Sequence, residues 1–159
     1  MNDVKKPFLQ KVQVWVHDSS GKVLLLKTNP VRGAFWQPVT GSVESGETLE
    51  VAAAREAAEE TGVIGLPPPR ALGFQFQFRT ERGGRTGMAE ETCFEIALAG
   101  VGESTPIRLD PREHTDCEWV TVEVAQSRLK FESNRMALEI LARALVKRGR
   151  WSGTKSSPS

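Results

Sequence analysis

Alternating apolar and polar residues predict the first strands of the chain. In the segment LQKVQVWVH, valines at positions 12, 14 and 16 fall at every second residue, the spacing of a strand with one buried face. The turn sequence DSSG follows, and KVLLLK then predicts a second strand, so we expect residues 9–27 to form a β-hairpin. Next come a predicted loop, TNPVRGAF, and a short extended stretch, WQPVTGSV, in which Pro38 is typical of a sheet edge.

The middle of the chain is predicted to hold one helix and several strands. Residues 48–61 are rich in alanine, the best helix former, and Gly62 follows where many helices end. Three prolines at 67–69 exclude a helix there. The segment RALGFQFQFRT then alternates strongly and predicts a strand whose phenylalanines pack on the core. We expect a flexible loop at ERGGRTGM and further strands at ETCFEIALA and CEWVTV.

The last predicted element is a helix from about Ser133, a residue type that caps helices, to about Arg148. Its apolar residues recur at helical spacing and are expected to pack on the core. Residues 1–148 are expected to form a single domain, and the polar residues 149–159 a disordered tail. Strands and helices mix without regular β-α-β alternation, which predicts an α/β (α+β) protein or an α/β/α sandwich around a mixed β-sheet.

Composition and charge narrow the possible functions. The chain has 159 residues, enough for one domain, and 39% apolar with 26% charged residues is an ordinary globular balance. The formal net charge of +1 gives no reason to expect non-specific nucleic-acid binding. The two cysteines form no CxxC pair and predict no disulfide framework, and no segment resembles a signal peptide or approaches the ~20 apolar residues of a membrane span. We therefore predict a cytoplasmic protein without a membrane partner.

The informative charge is local, in residues 41–63. This segment holds six glutamates and a single cation, Arg55. Glu56, Glu59 and Glu60 stand three and four residues apart and share one helix face, where like charges destabilise a helix by roughly 0.2–0.5 kcal/mol per pair. Two interpretations are open: a solvated helix face with poor charge balance, or a site where a hard cation such as Mg²⁺ or Mn²⁺ supplies the missing positive charge.

The loop before this helix adds to the second interpretation. Gly41 and Gly46 allow sharp turns and a close approach of the backbone to a ligand, so a backbone carbonyl there is a candidate metal ligand. Glu47 has two interpretations. It either pairs with Arg55 and holds the loop against the helix, or it is a first-turn glutamate favoured by the helix dipole.

The spacing of these residues resembles the Nudix box. The matching positions are Gly41, Glu47, Arg55, Glu56, Glu59, Glu60 and Gly62, followed by the apolar Val63. The resemblance implies an α/β/α sandwich with a mixed sheet, and hydrolysis of a nucleoside diphosphate linked to another group.

The same resemblance implies a role for each box residue. The three glutamates of the helix face and the Gly41 carbonyl would bind the divalent metal. Arg55 would orient the glutamates, and Glu47 would anchor Arg55. Family members often add a carboxylate from a loop outside the box, and Glu113 is the candidate here, the alternative being a loop glutamate without a role. Glu59 and Glu113 are both candidates for the general base.

Segments outside the box resemble bacterial dihydroneopterin triphosphate pyrophosphohydrolases. These are FWQPVTGSVESGET, the EH pair at 113–114 and SNRMA at 133–137. This resemblance implies that the substrate is dihydroneopterin triphosphate or a dNTP, and that pyrophosphate is released. Thr40 would lie near the substrate, and Lys5 or Lys6 would face phosphate.

The chain departs from that subfamily after its second strand. An arginine pair is common there, whereas this chain reads KTNPVRG, in which Lys27 and Arg32 are the available substitutes. Trp36 is the candidate for stacking on a planar ring.

Other functions are also open. Cleavage of dinucleoside polyphosphates, removal of pyrophosphate from the 5′ end of RNA, and a non-catalytic module that senses a nucleotide are the alternatives. The expected partner is a small-molecule polyphosphate, and the protein is expected to be a monomer or a homodimer.

Overall fold

Seven strands and three α-helices make up the part of the chain that the computed structural model describes, residues 7–150. The strands are β1 (Leu9–His17), β2 (Lys22–Thr28), β3 (Trp36–Gln37), β4 (Val39–Ser42), β5 (Arg70–Arg82), β6 (Arg85–Ala97) and β7 (His114–Thr121). The helices are α1 (Leu49–Thr61), α2 (Val122–Arg128) and α3 (Glu132–Lys147), and single 3₁₀ turns lie at Pro30–Arg32 and Gly102–Ser104.

All seven strands belong to one mixed sheet. Its order is β3-β2-β1-β6-β5, with β4 also paired to β1 and β7 to β2. The long contact between β1 and β6 is parallel, and the other strand pairs are antiparallel. The predicted mixed sheet is therefore confirmed.

Helices cover both faces of this sheet and create two apolar layers. One layer joins α1 to the valines of β1, and the other joins α3 to Trp15, Val23 and Leu25. Residues 12–17 of β1 are all buried as a result. The sequence predicted β1 to be half-buried, and that was wrong because alternation along one strand does not reveal that a second helix covers its other face.

Several predicted boundaries were correct because local chemistry sets them. Thr48 caps α1 by accepting the Val51 N–H, and Gly62 ends the helix with a left-handed φ of 67°. The predicted hairpin of β1 and β2 is present, with His17 opposite Val23. Phe74 and Phe76 lie half-buried against the α3 layer, as expected of a core stripe.

Other predictions were wrong. The N-cap of helix α3 is Phe131, two residues before the expected Ser133, which lies inside the first turn. The predicted loop at 81–88 is the paired end of a β-hairpin closed by Gly83 and Gly84. Helix α2 was not predicted, although Thr121 caps it with an ordinary side-chain hydrogen bond.

Two findings bear on the ends of the chain and on membranes. The tail predicted to be disordered falls almost entirely outside the described residues, since residues 151–159 are not among them. Within residues 7–150, no helix is both long and apolar enough to cross a bilayer.

Candidate functional site

The site forms where α1 packs against strand β4. Gly41 lies in β4 opposite Val12 of β1. A Cβ atom added to Gly41 would stand 2.0 Å from the carboxyl carbon of Glu56. Any side chain at this position would therefore displace the Glu56 carboxyl, which occupies the space that a Cβ atom would need.

Alternate residues of β4 direct their backbone N–H and C=O groups, though not their side chains, toward α1. The Thr40 N–H donates to Glu60 Oε1 at 3.4 Å, and the Ser42 carbonyl accepts from Arg55 Nη2 at 2.9 Å. In an antiparallel ladder, a residue between two positions whose backbone groups point away from the partner strand directs its own N–H and C=O groups at that strand. The Gly41 carbonyl, predicted to be a metal ligand, therefore faces β1, and the outward carbonyls belong to Thr40 and Ser42.

Arg55 joins the loop before α1 to the acidic face of the helix. Its guanidinium donates to both oxygens of Glu47, at 2.7 and 2.8 Å, and to Glu56 Oε1 at 2.9 Å. A longer contact of 3.4 Å reaches Glu59 Oε2. The hydrogen bonds from Arg55 are the main reason that the pKa of Glu47 falls to about 2. The expected contact between Arg55 and Glu47 is thus present, and Glu47 precedes the helix cap rather than lying in the first turn.

The three glutamates of the helix face occupy different environments. Glu59 is largely exposed, with 59% of its side chain accessible, whereas Glu60 is 4% exposed. Burial raises the pKa of Glu60 to about 9, and the charges of Glu56 and Glu113 add to this rise. Burial likewise raises the pKa of Glu56. Glu60 therefore lacks enough positive charge around it to stay ionised at neutral pH.

Glu113 comes to the same place from the loop before β7. Its charge acts on Glu60, and its Oε1 lies 3.7 Å from Arg32 Nη2. The neighbouring His114 is buried, with Nε2 3.8 Å from Glu60 Oε1. Burial lowers the pKa of His114, which leaves the ring neutral at pH 7, so this histidine does not supply the missing positive charge.

The predicted substrate-binding residues lie in different surroundings. Thr40 lies beside Glu60, as its backbone contact shows. Trp36 is half-buried, with Lys27 Nζ 5.9 Å and the Arg128 guanidinium 5.3 Å from its ring. Lys5 and Lys6 lie outside the described residues.

A comparison with known families identifies the domain. Residues 7–140 match the NUDIX domain model. The chain belongs to the Nudix family. The predicted membership of the Nudix family is confirmed, and the matched residues include the whole segment from Gly41 to Val63 that resembles the Nudix box.

Relatives of this Nudix domain carry several activity names. An octanoyltransferase of Myxococcus xanthus is 38% identical over 114 residues, which are 72% of this chain and 30% of that protein. A dihydroneopterin triphosphate diphosphatase of Escherichia coli K12 is 30% identical over 142 residues, 85% of this chain and 91% of that protein. Others are named ADP-ribose pyrophosphatase and RNA pyrophosphohydrolase. The chain spans less than half the length of three relatives, at 30%, 49% and 42%.

Solved structures share the fold of this Nudix domain. A NUDIX hydrolase of Listeria monocytogenes superimposes with a TM-score of 0.74 at 22% identity, over 91% of this chain and 98% of that one. The Escherichia coli dihydroneopterin triphosphate pyrophosphohydrolase has a TM-score of 0.69 at 27% identity, over 82% and 92% of the two chains. The predicted Nudix fold is confirmed.

The acidic residues of this Nudix domain suit a divalent metal, although they do not enclose one as they are placed. Among residues 7–150, no three acidic, histidine or cysteine side chains stand close enough together to hold an ion. The chemistry nevertheless fits, because burial raises the pKa of the neighbouring Glu56 and Glu60 carboxyls, and the charge of Glu113 acts on Glu60 as well. Carboxylate and carbonyl oxygens are the ligands that Mg²⁺ and Mn²⁺ prefer.

One contact of the site lies outside the sequence predictions. Arg82, at the tip of the β5–β6 hairpin, donates to the Ser42 hydroxyl at 2.6 Å. Forty positions separate these two residues in the sequence, and no motif connects them. The segment around Arg82 was predicted to be a loop, so the sequence contained no signal that would bring it to β4.

Proposed function

We propose that this Nudix domain is a metal-dependent pyrophosphohydrolase that acts on a nucleoside-triphosphate-like substrate and releases pyrophosphate. The observation that carries the proposal is the Arg55 guanidinium held between Glu47 and Glu56, beside the buried carboxyl of Glu60, whose pKa is raised by burial and by the neighbouring acids. A surface helix with poor charge balance does not explain why Glu60 is buried next to Glu56.

The metal ligands that we propose are Glu56, Glu60 and Glu113, with Glu59 at the exposed side. Backbone orientation favours the Thr40 carbonyl over that of Gly41 as the additional oxygen ligand. When bound, Mg²⁺ or Mn²⁺ would neutralise charge on the phosphates and lower the pKa of a bound water.

The remaining residues position these carboxylates and move a proton. Arg55 fixes the Glu56 carboxylate, and Glu47 fixes Arg55 from the loop side. Between the two candidates for general base, Glu59 is favoured. Each contacts an arginine, Glu59 at 3.4 Å and Glu113 at 3.7 Å, but the Glu59 side chain is the more open to solvent, at 59% against 38%. A carboxylate oxygen of Glu59 would take the proton of the attacking water.

Dihydroneopterin triphosphate or a dNTP is the substrate that we propose. This is supported by the segments shared with that subfamily and by a relative of that name that aligns over 85% of this chain and 91% of its own length. Thr40 and Trp36 would contact the substrate on the side of β4 away from Glu60. Arg32 does not stand free to replace the missing arginine pair, because it faces Glu113.

The proposal is tested by a substrate panel. Dihydroneopterin triphosphate, the four dNTPs, dinucleoside polyphosphates and 5′-triphosphate RNA are compared by kcat/KM with and without Mg²⁺. We expect metal-dependent release of pyrophosphate from a monomeric triphosphate. A preference for dinucleoside polyphosphates or RNA would shift the substrate class, and tight binding without any hydrolysis would indicate a nucleotide sensor instead.

Glu59→Gln tests the general base directly. We expect kcat to fall by about 10²–10⁴-fold while the fold stays intact, because the amide cannot accept the proton. Glu50→Gln is the matched control, since Glu50 is an exposed glutamate of the same helix. Full activity of the Glu59→Gln variant would assign the proton transfer to Glu113.

A further inference from the structure

The β5–β6 hairpin extends past the end of β1. Its strands stay paired from Phe78 opposite Ala89 to Arg82 opposite Arg85, whereas β1 begins to pair with β6 only at Ala89. Gly83 and Gly84 close the hairpin with φ values of 59° and 76°, as a tight two-residue turn requires. The tip is therefore an ordered strand pair that projects beyond the β1 strand.

The tip of the hairpin contacts strand β4 at Ser42, within the Nudix box. Arg82 Nη1 donates to Ser42 Oγ at 2.6 Å, and the carbonyl of the same serine accepts from Arg55 Nη2 at 2.9 Å. Two arginines thus hold Ser42, one through its side chain and one through its backbone. The Arg82 guanidinium therefore contacts the residue that directly follows Gly41.

The strand register shows on which face Arg82 lies. Ser42 stands opposite Lys11, and Thr40 stands opposite Gln13. Side chains alternate between faces along a strand, so Thr40 and Ser42 project away from α1, whereas position 41 faces it. Arg82 and the predicted substrate residue Thr40 consequently share a face, next to the strand edge where Thr40 contacts Glu60.

Within residues 7–150, no carboxylate neutralises the charge of Arg82. Its one hydrogen bond within residues 7–150 goes to an uncharged hydroxyl, and no carboxylate pairs with it there. Other cations near the site are engaged, Arg55 by glutamates and Arg32 by Glu113. A guanidinium has five N–H donors in a planar fork that matches phosphate oxygens, and only one donor of Arg82 is used.

We propose that Arg82 is a phosphate-binding residue that selects substrates with a polyphosphate chain. This inference rests on the proposed function and names a residue that neither the box nor the subfamily resemblance includes. Ser42 keeps the guanidinium in place through one N–H, and the remaining donors bind non-bridging oxygens of the phosphate chain. Arg82 thereby takes the place of the arginine pair that this chain lacks after β2.

The test separates substrate binding from chemistry. Arg82→Gln is compared with Arg79→Gln, an exposed arginine of the same strand that removes the same charge without contacting Ser42. We expect Arg82→Gln to raise KM for the preferred triphosphate by about tenfold, with kcat nearly unchanged, because a charge-assisted hydrogen bond is lost. Arg82→Lys should be intermediate, since it keeps the charge but not the fork. Ser42→Ala should raise KM less than Arg82→Gln.

Binding of inorganic tripolyphosphate, measured by calorimetry with and without Mg²⁺, gives a readout independent of turnover. We expect Arg82→Gln to weaken it about tenfold and Arg79→Gln to leave it unchanged. Equal KM and equal tripolyphosphate affinity in these two variants would overturn the inference while leaving the proposed function intact. If the wild-type chain hydrolyses nothing yet binds tripolyphosphate through Arg82, the proposed function fails, and with it the selection of substrates, while phosphate binding by Arg82 is retained.

Discussion

At the scale of single residues, the site depends on close contacts that leave no spare volume. The clearest case is Gly41, where the Glu56 carboxyl occupies the place of a side chain. Arg55 then holds that carboxyl from the other side. A glycine and an arginine therefore set the position of one acid group before any metal binds.

Gly41→Ala should lower activity by displacing Glu56. The added methyl would stand 2.0 Å from the carboxyl carbon, so the side chain must move by more than an ångström. We expect kcat/KM to fall on the order of 100-fold, as misplaced catalytic groups do, while stability changes little, because the displaced carboxyl is the far end of a flexible side chain. Gly100→Ala is the control, because nothing lies near its Cβ. Wild-type kinetics in Gly41→Ala would show that Glu56 is not placed by this contact.

At the scale of elements, the end of α3 is tied to the sheet by an ion pair. Arg148, the C-cap of α3, donates to both oxygens of Glu95 in β6, at 2.8 and 2.9 Å. Glu95 is buried and also contacts His17 Nε2 at 3.1 Å. The helix that covers one face of the sheet is thus fixed at its C-terminal end by a buried carboxylate.

This ion pair predicts a pH dependence of stability. Burial alone would raise the pKa of Glu95, but hydrogen bonds from His17 and Arg148 lower it to about 2, below its ordinary value of 4.5. Because the folded-state pKa is the lower one, ionised Glu95 contributes stability above about pH 4.5. That contribution is lost as the pH falls from 4.5 through about 2.

Arg148→Met tests the contribution of Arg148. At pH 7 we expect a loss of about 3 kcal/mol in the free energy of unfolding, because Glu95 stays buried without its main partner. The difference from wild type should shrink as the pH falls from 4.5 toward 2, since a protonated Glu95 no longer needs the guanidinium and wild-type Glu95 itself takes up its proton only near pH 2. Urea unfolding at pH 7, 4.5 and 3 measures this. Arg143→Met, which breaks an exposed pair on the same helix, should cost at most about 1 kcal/mol.

At the scale of the whole molecule, the fold brings acidic groups together from two distant segments. Helix α1 contributes Glu56 and Glu60. The loop before β7, which is far from α1 in the sequence, contributes Glu113. A bound divalent cation would connect these segments. Metal binding should therefore stabilise the entire domain rather than one loop.

We expect the melting temperature to rise with millimolar Mg²⁺ or Mn²⁺. A metal at ten times its dissociation constant stabilises the folded state by about 1.4 kcal/mol, which corresponds to a few degrees in a domain of this size. Glu60→Gln should melt at or above the wild-type temperature without metal, because a buried acid is replaced by a neutral amide of the same shape. Its response to metal should be lost, whereas Glu50→Gln should respond like wild type. A wild-type protein indifferent to both metals would contradict the proposed site.

Local chemistry made much of this protein predictable from sequence. Helix α1 could be delimited because alanines, a threonine cap and Gly62 act within a few residues of one another. The box spacing placed three glutamates on one helix face by the geometry of the helix alone. The start of α3 shows the limit, since its N-cap, Phe131, makes no side-chain hydrogen bond that a sequence could signal.

The sequence by itself determined the Nudix family, the acidic helix and the mixed sheet, because these follow from short-range spacing and from strand periodicity. Only the tertiary structure decided which carboxylates are buried, which backbone carbonyls face them and which arginine reaches Ser42. Burial and backbone direction depend on the partner that a segment packs against, and the Arg82 contact joins positions forty residues apart. Such contacts are set by the whole packed sheet, and no local pattern records them.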